Sequence, residues 1–169
     1  MELRSRFAFD YPPEVVRDSV LDERSIRYII DRHPEISALE MLKRREEGER
    51  VALDLKYTVD VPMPGPVKKV LGGLNTFVVE LILDTRSNQG TLEIVPARMG
   101  DKIKAGGRIF FEQQGDRWVQ NVVGDVTVKM FGVGKLVEKF IVASFQKSFD
   151  LECKLRNDYL RETRPGTKT

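Results

Sequence analysis

The sequence predicts an α+β protein in which a curved antiparallel sheet packs against one long C-terminal helix. Three observations lead to this fold class. Strand-like patterns occupy most of the stretch from Ile36 to Met130. Tight turns, not helices, separate these strands. An apolar stripe with helical spacing then runs from about Lys135 to Arg161, and a helix of about 27 residues would be roughly 40 Å long.

The N-terminal elements are predicted to be one strand and two short helices. Aromatic residues alternate between Arg6 and Tyr11, which indicates a strand with one buried face. Pro12-Pro13 ends this strand, and the following residues predict a helix from Glu14 to Leu21. Asp22 is a suitable N-cap for a second helix, which we expect from Glu23 to Arg32.

Six further strands are predicted as an antiparallel meander. The clearest runs from Leu53 to Val61, where every odd position is apolar and every even position is polar. This alternation is typical of a strand with one buried and one solvated face. Turn sequences containing Gly, Asn or Asp separate several of the strands. The other predicted strands are Ile36–Arg44, Phe77–Leu83, Leu92–Met99, Gly107–Gln113 and Trp118–Met130.

The segment from Pro62 to Leu74 interrupts the meander. Its three prolines and three glycines exclude a continuous strand. Four apolar residues share one helical face, which predicts a short element at the rim of the sheet. We interpret this element as a lid. The predicted lid residues are Val67, Val70, Leu71 and Leu74.

Length and composition predict a single domain at residues 1–162 and a flexible C-terminal tail at 163–169. The only cysteine, Cys153, excludes an internal disulfide and suits a reducing compartment. No segment has about 18 consecutive apolar residues, as a membrane-spanning helix requires. The charged N-terminus leads to no apolar signal core. We therefore expect a cytoplasmic protein.

The charges are nearly balanced, since 28 basic and 26 acidic residues give a net charge of +2. Nucleic-acid-binding proteins usually concentrate basic residues on one face. Here the basic run Lys43-Arg44-Arg45 is followed directly by Glu46-Glu47. We expect no nucleic-acid partner, and a monomer or a weak dimer.

The sequence contains no recognisable catalytic motif. His33 is the only histidine; it precedes a proline at a helix end, and we expect it at the surface or at a helix cap. Cys153 is expected to be a half-buried helix residue with no neighbour that lowers the pKa of its thiol. The glycines form no phosphate-binding loop. We predict no catalytic residue, no metal and no cofactor.

The inner faces of the strands and the long helix supply a candidate ligand site. Ser144 and Ser148 place small polar groups in the middle of the helix stripe. The sheet opposite them either packs closer or leaves a void, so a solid core and an apolar cavity with a few polar anchors both fit the pattern. The candidate ligand-binding residues are Leu55, Tyr57, Val59, Phe77, Val79, Leu81, Ile109, Phe111, Trp118, Gln120, Val126, Ile141, Ser144 and Ser148.

Local sequence resembles the START-like superfamily, also called SRPBCC, whose members share the helix-grip fold. Residues Phe9 to Val16 are similar to the strand, proline and helix that open these proteins. The segment from Pro62 to Leu74 resembles an uncharacterised bacterial START-like family. A second set of residues resembles the strand-to-helix junction of that family: Gly124–Lys129, Gly132, Gly134, Glu138 and Lys139. The resemblance implies a hydrophobic-ligand cavity between helix and sheet, and it transfers no catalytic residues.

These observations lead to three functional hypotheses. The first, which we favour, is non-catalytic binding or transport of a lipid, a sterol-like or a polyketide-like molecule. Lys68 and Lys69 could touch anionic headgroups during loading, which is compatible with a transient membrane contact. The second is a cyclase- or hydratase-type enzyme that uses Glu80, Glu112 or Tyr57 as its acid–base group in the same cavity. The third is an interaction module with a filled core and an exposed apolar patch.

Overall fold

The structure is a computed structural model that describes residues 1–165. One strand and two short helices come first, six strands and a short helix follow, and a long helix ends the described chain. The N-terminal elements are β1 (Glu2–Phe9), α1 (Pro13–Val20) and α2 (Glu23–Ile30). The central elements are β2 (Ile36–Glu47), β3 (Arg50–Val59), α3 (Gly65–Leu71), β4 (Thr76–Asp84), β5 (Gln89–Pro96), β6 (Ile103–Gln114) and β7 (Arg117–Val128). The long helix is α4 (Gly134–Thr163).

The strands form one 7-stranded sheet in the order β1-β7-β6-β5-β4-β3-β2. Every pair of neighbours in this sheet is antiparallel. Strands β2 to β7 therefore form a meander, and the first strand of the chain joins the edge of the last one. The predicted α+β fold class, with a curved antiparallel sheet around a long C-terminal helix, is confirmed.

Close backbone approach explains two glycines in the middle of the sheet. Gly107 of β6 and Gly124 of β7 are paired in an unbroken register. A Cβ atom on either glycine would overlap backbone atoms of the facing strand, so any larger residue would push these two strands apart. The continuous register shows that there is no bulge at Gly124. Register shifts occur instead in the pairing of β2 with β3.

Helix α4 packs along the sheet and is covered at each half by different short helices. Near its start, Val137 belongs to an apolar cluster with Val67 and Leu71 of α3. Near its end, Leu160 belongs to a cluster with Phe9 of β1 and Val16 of α1. The middle of α4 lies against the sheet between these two clusters, and this is where the candidate site is found.

Most differences from the predicted elements concern their ends. Strand β1 begins at Glu2 and not near Arg6, because Glu2 already pairs with Asp125 of β7. Asp22 caps α2 as expected, since its carboxylate accepts a hydrogen bond from the backbone N–H of Arg24 at 2.9 Å. Helix α4 continues to Thr163, so the first residue of the predicted tail is helical. Residues 166–169 of that tail lie outside the described residues.

No helix in residues 1–165 is both long enough and apolar enough to cross a membrane.

Candidate functional site

A cavity of about 250 Å³ lies between the inner face of the sheet and α4. Its volume is just below the range of about 300–1,000 Å³ that is typical of small-molecule sites. Strands β3 to β7 and helix α4 supply most of the lining, and most of the lining side chains are apolar. The side chains of the sheet therefore do not fill the space opposite the middle of the helix.

Most of the predicted ligand-binding residues surround this cavity. Those that line it are Leu55, Tyr57, Val59, Phe77, Val79, Leu81, Ile109, Phe111, Gln120, Ile141, Ser144 and Ser148. They come together because alternation along each strand places one set of side chains on the inner face. That these residues bind a ligand stays a prediction.

Trp118 and Val126 do not line the cavity. Trp118 is the second residue of β7 and pairs with Phe9 and Gln113, beyond the end of the cavity. Val126 is completely buried in the apolar cluster that contains Val67. Strand β7 has 12 residues and is roughly 40 Å long. Alternation identifies its inner face correctly, but it cannot show where along that face the cavity ends.

The predicted lid corresponds to α3 and the residues after it. Leu71 and Leu74 line the cavity. Val67 is completely buried in the core, and Val70 packs at the edge of the same cluster without reaching the cavity. Half of the predicted lid therefore anchors α3 to the protein, and the other half faces the cavity. Opening of this helix as a lid stays a prediction.

A buried polar network lies at one end of the cavity. The Tyr57 hydroxyl is within hydrogen-bond distance of both carboxylate oxygens of Glu152, at 3.2 and 3.3 Å. Arg156 donates to the same carboxylate at 2.8 Å, and its other nitrogen is 3.3 Å from the Ser25 hydroxyl. Burial, with a smaller contribution from the Glu152 charge, raises the pKa of Tyr57 well above its usual value. Tyr57 is therefore a neutral hydrogen-bond donor near neutral pH.

The sequence prediction missed Glu152 and Arg156. Both line the cavity and form an ion pair one helical turn apart. The sequence does contain a pattern that indicates them. Polar residues recur every four positions at Ser144, Ser148, Glu152 and Arg156, and this spacing places them along one side of α4. The predicted stripe included Ser144 and Ser148 but continued from there through apolar residues, so the polar continuation was missed.

Two other lining side chains carry unpaired polar groups. The amide of Gln120, which is 6% exposed, has no hydrogen-bond partner among residues 1–165, although the residue lines the cavity. The same is true of the Ser144 hydroxyl, on a half-buried residue of α4. These groups are free to bind water or a ligand.

His33 is buried, which excludes the surface position, one of the two positions expected for it. It does lie at a helix end, where its backbone N–H donates to the Ile29 carbonyl oxygen of α2 at 2.8 Å. Its Nδ1 accepts a hydrogen bond from the backbone N–H of Glu35 at 3.2 Å. Its Nε2 therefore carries the proton in the neutral ring and lies 3.1 Å from the Ser148 carbonyl oxygen. His33 thus connects the segment before β2 to the middle of α4, a contact between residues far apart in the sequence that local patterns do not show.

The proposed acid–base carboxylates are both outside the cavity. Glu80 and Glu112 are exposed, and Glu112 accepts a hydrogen bond from Asn121 at 3.1 Å. Cys153 lines the cavity and is fully buried, not half-buried as expected. Burial raises the pKa of its thiol well above the usual value, so it is not a thiolate nucleophile at neutral pH. Of the three candidate acid–base residues, Tyr57 alone is inside the site.

Solved structures with the same fold include proteins of several kinds. The protein TTHA0849 from Thermus thermophilus is 16% identical, with a TM-score of 0.66, over 97% of this chain and 99% of that chain. A START superfamily protein from Mycobacterium smegmatis is 18% identical, with a TM-score of 0.53, over 96% and 98% of the two chains. Norcoclaurine synthase from Thalictrum flavum is 15% identical, with a TM-score of 0.61, over 96% and 87%. These likenesses show a shared fold.

Sequence comparison defines the family more narrowly. No curated protein matches this chain. The family described as "Protein of unknown function (DUF2505)" matches residues 4–160, which is nearly the whole chain. The predicted resemblance to an uncharacterised START-like family is confirmed. The chain belongs to the DUF2505 family, and its fold is the helix-grip fold of the START-like proteins.

Proposed function

We propose that this protein binds and carries a hydrophobic small molecule, such as a lipid, a sterol-like or a polyketide-like compound, without converting it. The observation that carries this proposal is the mostly apolar cavity between the sheet and α4. A solid core of the same residue types would leave no such space. The fold supports the proposal as well, because cavities of this kind are typical sites for apolar ligands.

The polar groups of the cavity favour binding over catalysis. Glu152 is already engaged by Tyr57 and Arg156, and the two other candidate carboxylates face solvent. A general acid or base needs a pKa near the working pH, whereas the pKa of Tyr57 is raised away from it. A cyclase- or hydratase-type enzyme that uses Tyr57 is the second candidate, because Tyr57 is paired with a buried carboxylate inside the cavity.

We further propose a transient membrane contact near the start of α4. Phe131, in the turn between β7 and α4, is completely exposed, and Leu136 is partly exposed beside it. Lys135 and Lys139 are exposed one helical turn apart. Helix α3, which carries Lys68 and Lys69, belongs to the same end of the molecule through its cluster with Val137. Apolar side chains surrounded by lysines are suited to an anionic lipid surface.

We propose finally that residues 1–162 act as one domain, in the cytoplasm, as a monomer or a weak dimer. The free, buried Cys153 supports a reducing compartment. Nothing in the balanced charge favours a nucleic-acid partner.

A cavity-filling variant tests the binding proposal. Ser144→Phe places a phenyl ring in the cavity, whereas Ala143→Phe places the same ring on the exposed side of α4. Extraction and native mass spectrometry of the purified wild type are expected to show a co-purified apolar molecule, or binding from a lipid panel. Ser144→Phe is expected to weaken this binding at least about tenfold, and Ala143→Phe to leave it unchanged.

Two results would contradict the proposal. The first is the absence of any bound molecule in the extract and in the panel. The second is equal binding by both phenylalanine variants, which would place the ligand outside the cavity. Conversion of the bound molecule by the wild type, abolished in Tyr57→Phe while binding persists, would establish the enzyme candidate instead.

A further inference from the structure

The cavity is polar at one end only. The lining residues of α4 run from Phe140 to Arg156, a distance of roughly 24 Å along the helix axis. The first turns of this stretch contribute Phe140, Ile141 and Phe145, next to the apolar cluster of α3. The last turns contribute Glu152 and Arg156, which hydrogen-bond to Tyr57 and Ser25. A bound molecule therefore meets hydrocarbon at one end and hydrogen-bonding groups at the other.

Gln120 belongs to the polar end. It pairs with Phe111 in the neighbouring strand β6, and Phe111 packs in the same cluster as Phe149 and Cys153 from the second half of α4. Gln120 is 6% exposed, and its amide faces the cavity without a hydrogen bond to any group of residues 1–165. A purely apolar ligand that covers this amide would leave it without a hydrogen-bond partner, which is unfavourable. A ligand group that pairs with this amide therefore gains affinity that a pure hydrocarbon cannot obtain.

The charged groups at this end already compensate one another. Arg156 and Glu152 form an ion pair at 2.8 Å, and the Glu152 carboxylate also faces the Tyr57 hydroxyl. Arg17, which lines the cavity from α1, has Asp18 at 3.8 Å. Because these charges are already paired, a carboxylate headgroup would be buried without a free cation, and an ammonium headgroup would be buried without a free anion; each is unfavourable. An uncharged headgroup meets neither penalty.

We propose that the ligand is an amphiphile with one uncharged hydroxyl, carbonyl or amide group, bound with that group at Gln120 and with its apolar part toward α3. This inference rests on the proposed function and specifies the ligand class. Gln120 is then the residue that distinguishes a polar-headed ligand from a hydrocarbon, and the Tyr57–Glu152–Arg156 network excludes charged headgroups.

A series of matched probes tests this inference on the full chain. Dodecane, 1-dodecanol, dodecanoate and dodecylammonium share one chain and differ in their head. Wild-type protein is expected to bind 1-dodecanol at least about tenfold more tightly than each of the other three, when measured by competition with a co-purified or fluorescent apolar ligand. Gln120→Leu is expected to lose this preference by lowering the affinity for 1-dodecanol about tenfold, with little change for dodecane.

One control variant and one variant of a competing position make the result specific. Gln113→Leu makes the same substitution at an exposed position of β6, and it is expected to behave as the wild type. Ser144→Ala removes the other unpaired polar group of the cavity and tests the competing position of the head, because a head bound at Ser144 would lose the preference for 1-dodecanol in this variant and not in Gln120→Leu. If Gln120→Leu does not fold, the order of the four affinities in the wild type still decides whether the head is neutral and polar.

The outcomes separate this inference from the proposed function. Equal affinities for dodecane and 1-dodecanol, tighter binding of dodecanoate or dodecylammonium, or loss of the preference in Ser144→Ala but not in Gln120→Leu would overturn the headgroup inference and leave the binding cavity in place. Failure of the wild type to bind any of the four probes, together with an empty lipid panel, would overturn both.

Discussion

Three side chains at the polar end of the cavity depend on one another. The Glu152 carboxylate is almost completely buried and is balanced by Arg156, whose side chain is still more buried. The Tyr57 hydroxyl, from β3, donates a hydrogen bond to the same Glu152 carboxylate. Burial of a charge is unfavourable unless the charge is paired and hydrogen-bonded. The network is therefore stable when it is complete, and the loss of either charged member leaves a buried charge without compensation.

Arg156→Leu is expected to destabilise the protein by about 3–5 kcal/mol, because it leaves the Glu152 carboxylate buried without its cation. Urea-induced unfolding, followed by circular dichroism, measures this change. Lys154→Leu is the matched control, since Lys154 makes the same type of pair with Asp158 at the surface and should cost less than about 1 kcal/mol. The double variant Glu152→Leu/Arg156→Leu is expected to recover most of the loss. Equal effects of Arg156→Leu and Lys154→Leu would contradict this interpretation.

The junction between β7 and α4 holds the helix against the sheet. Glu138, in the second turn of α4, is buried, and its carboxylate accepts a hydrogen bond from the backbone N–H of Val128 at 2.9 Å. Lys135 donates to the other oxygen, also at 2.9 Å. The hydrogen bond from Val128, followed by that from Lys135, lowers the pKa of Glu138. One side chain thus connects the last strand to the beginning of the helix that covers the cavity.

The lowered pKa makes this junction sensitive to acid. Because the pKa of Glu138 is lower in the folded than in the unfolded protein, its contribution to stability is present above the unfolded value of about 4.3 and is lost as the pH falls through the folded value. Glu138→Gln is expected to reduce stability at pH 7 and to flatten the decrease between about pH 5 and pH 3. Thermal unfolding across this range measures the effect. Glu14→Gln, at an exposed position of α1, should keep the wild-type slope; a wild-type slope in Glu138→Gln would refute the assignment.

At the scale of the whole molecule, the start of β1 and the short helix α3 lie together at the end of the cavity where α4 begins. Strand β1 lies beside β7, and α3 packs on the beginning of α4. The backbone N–H of Lys129 donates to the Lys102 carbonyl oxygen, so two more lysines lie near the exposed Phe131. The chain as a whole is almost neutral, yet this end of the molecule combines exposed lysines with an exposed aromatic ring.

Binding to anionic vesicles is the expected consequence. Wild-type protein should sediment with phosphatidylserine-containing vesicles at low salt and be released at high salt, since each lysine near such a surface contributes about 1 kcal/mol. Phe131→Ser should reduce binding about tenfold, because insertion of the ring contributes roughly 1.5–3 kcal/mol when burial is complete. Leu42→Ser, at an exposed position of β2, is the control. No vesicle binding by the wild type, or equal binding by both variants, would exclude this surface as the contact.

Local sequence patterns were enough to predict the elements, their order and the buried faces of the strands, because alternation and helical spacing are properties of short segments. Leu55, Tyr57 and Phe77 were assigned to the inner face in this way, and the structure places them around the cavity. The existence of the cavity, and its extent, became known from the packing of the elements, which leaves Trp118 and Val126 outside it. The same packing buries His33 against Ser148 and leaves the Gln120 amide unpaired. These features depend on contacts between strands and helices distant in the sequence, and the volume between them is not encoded by any single segment.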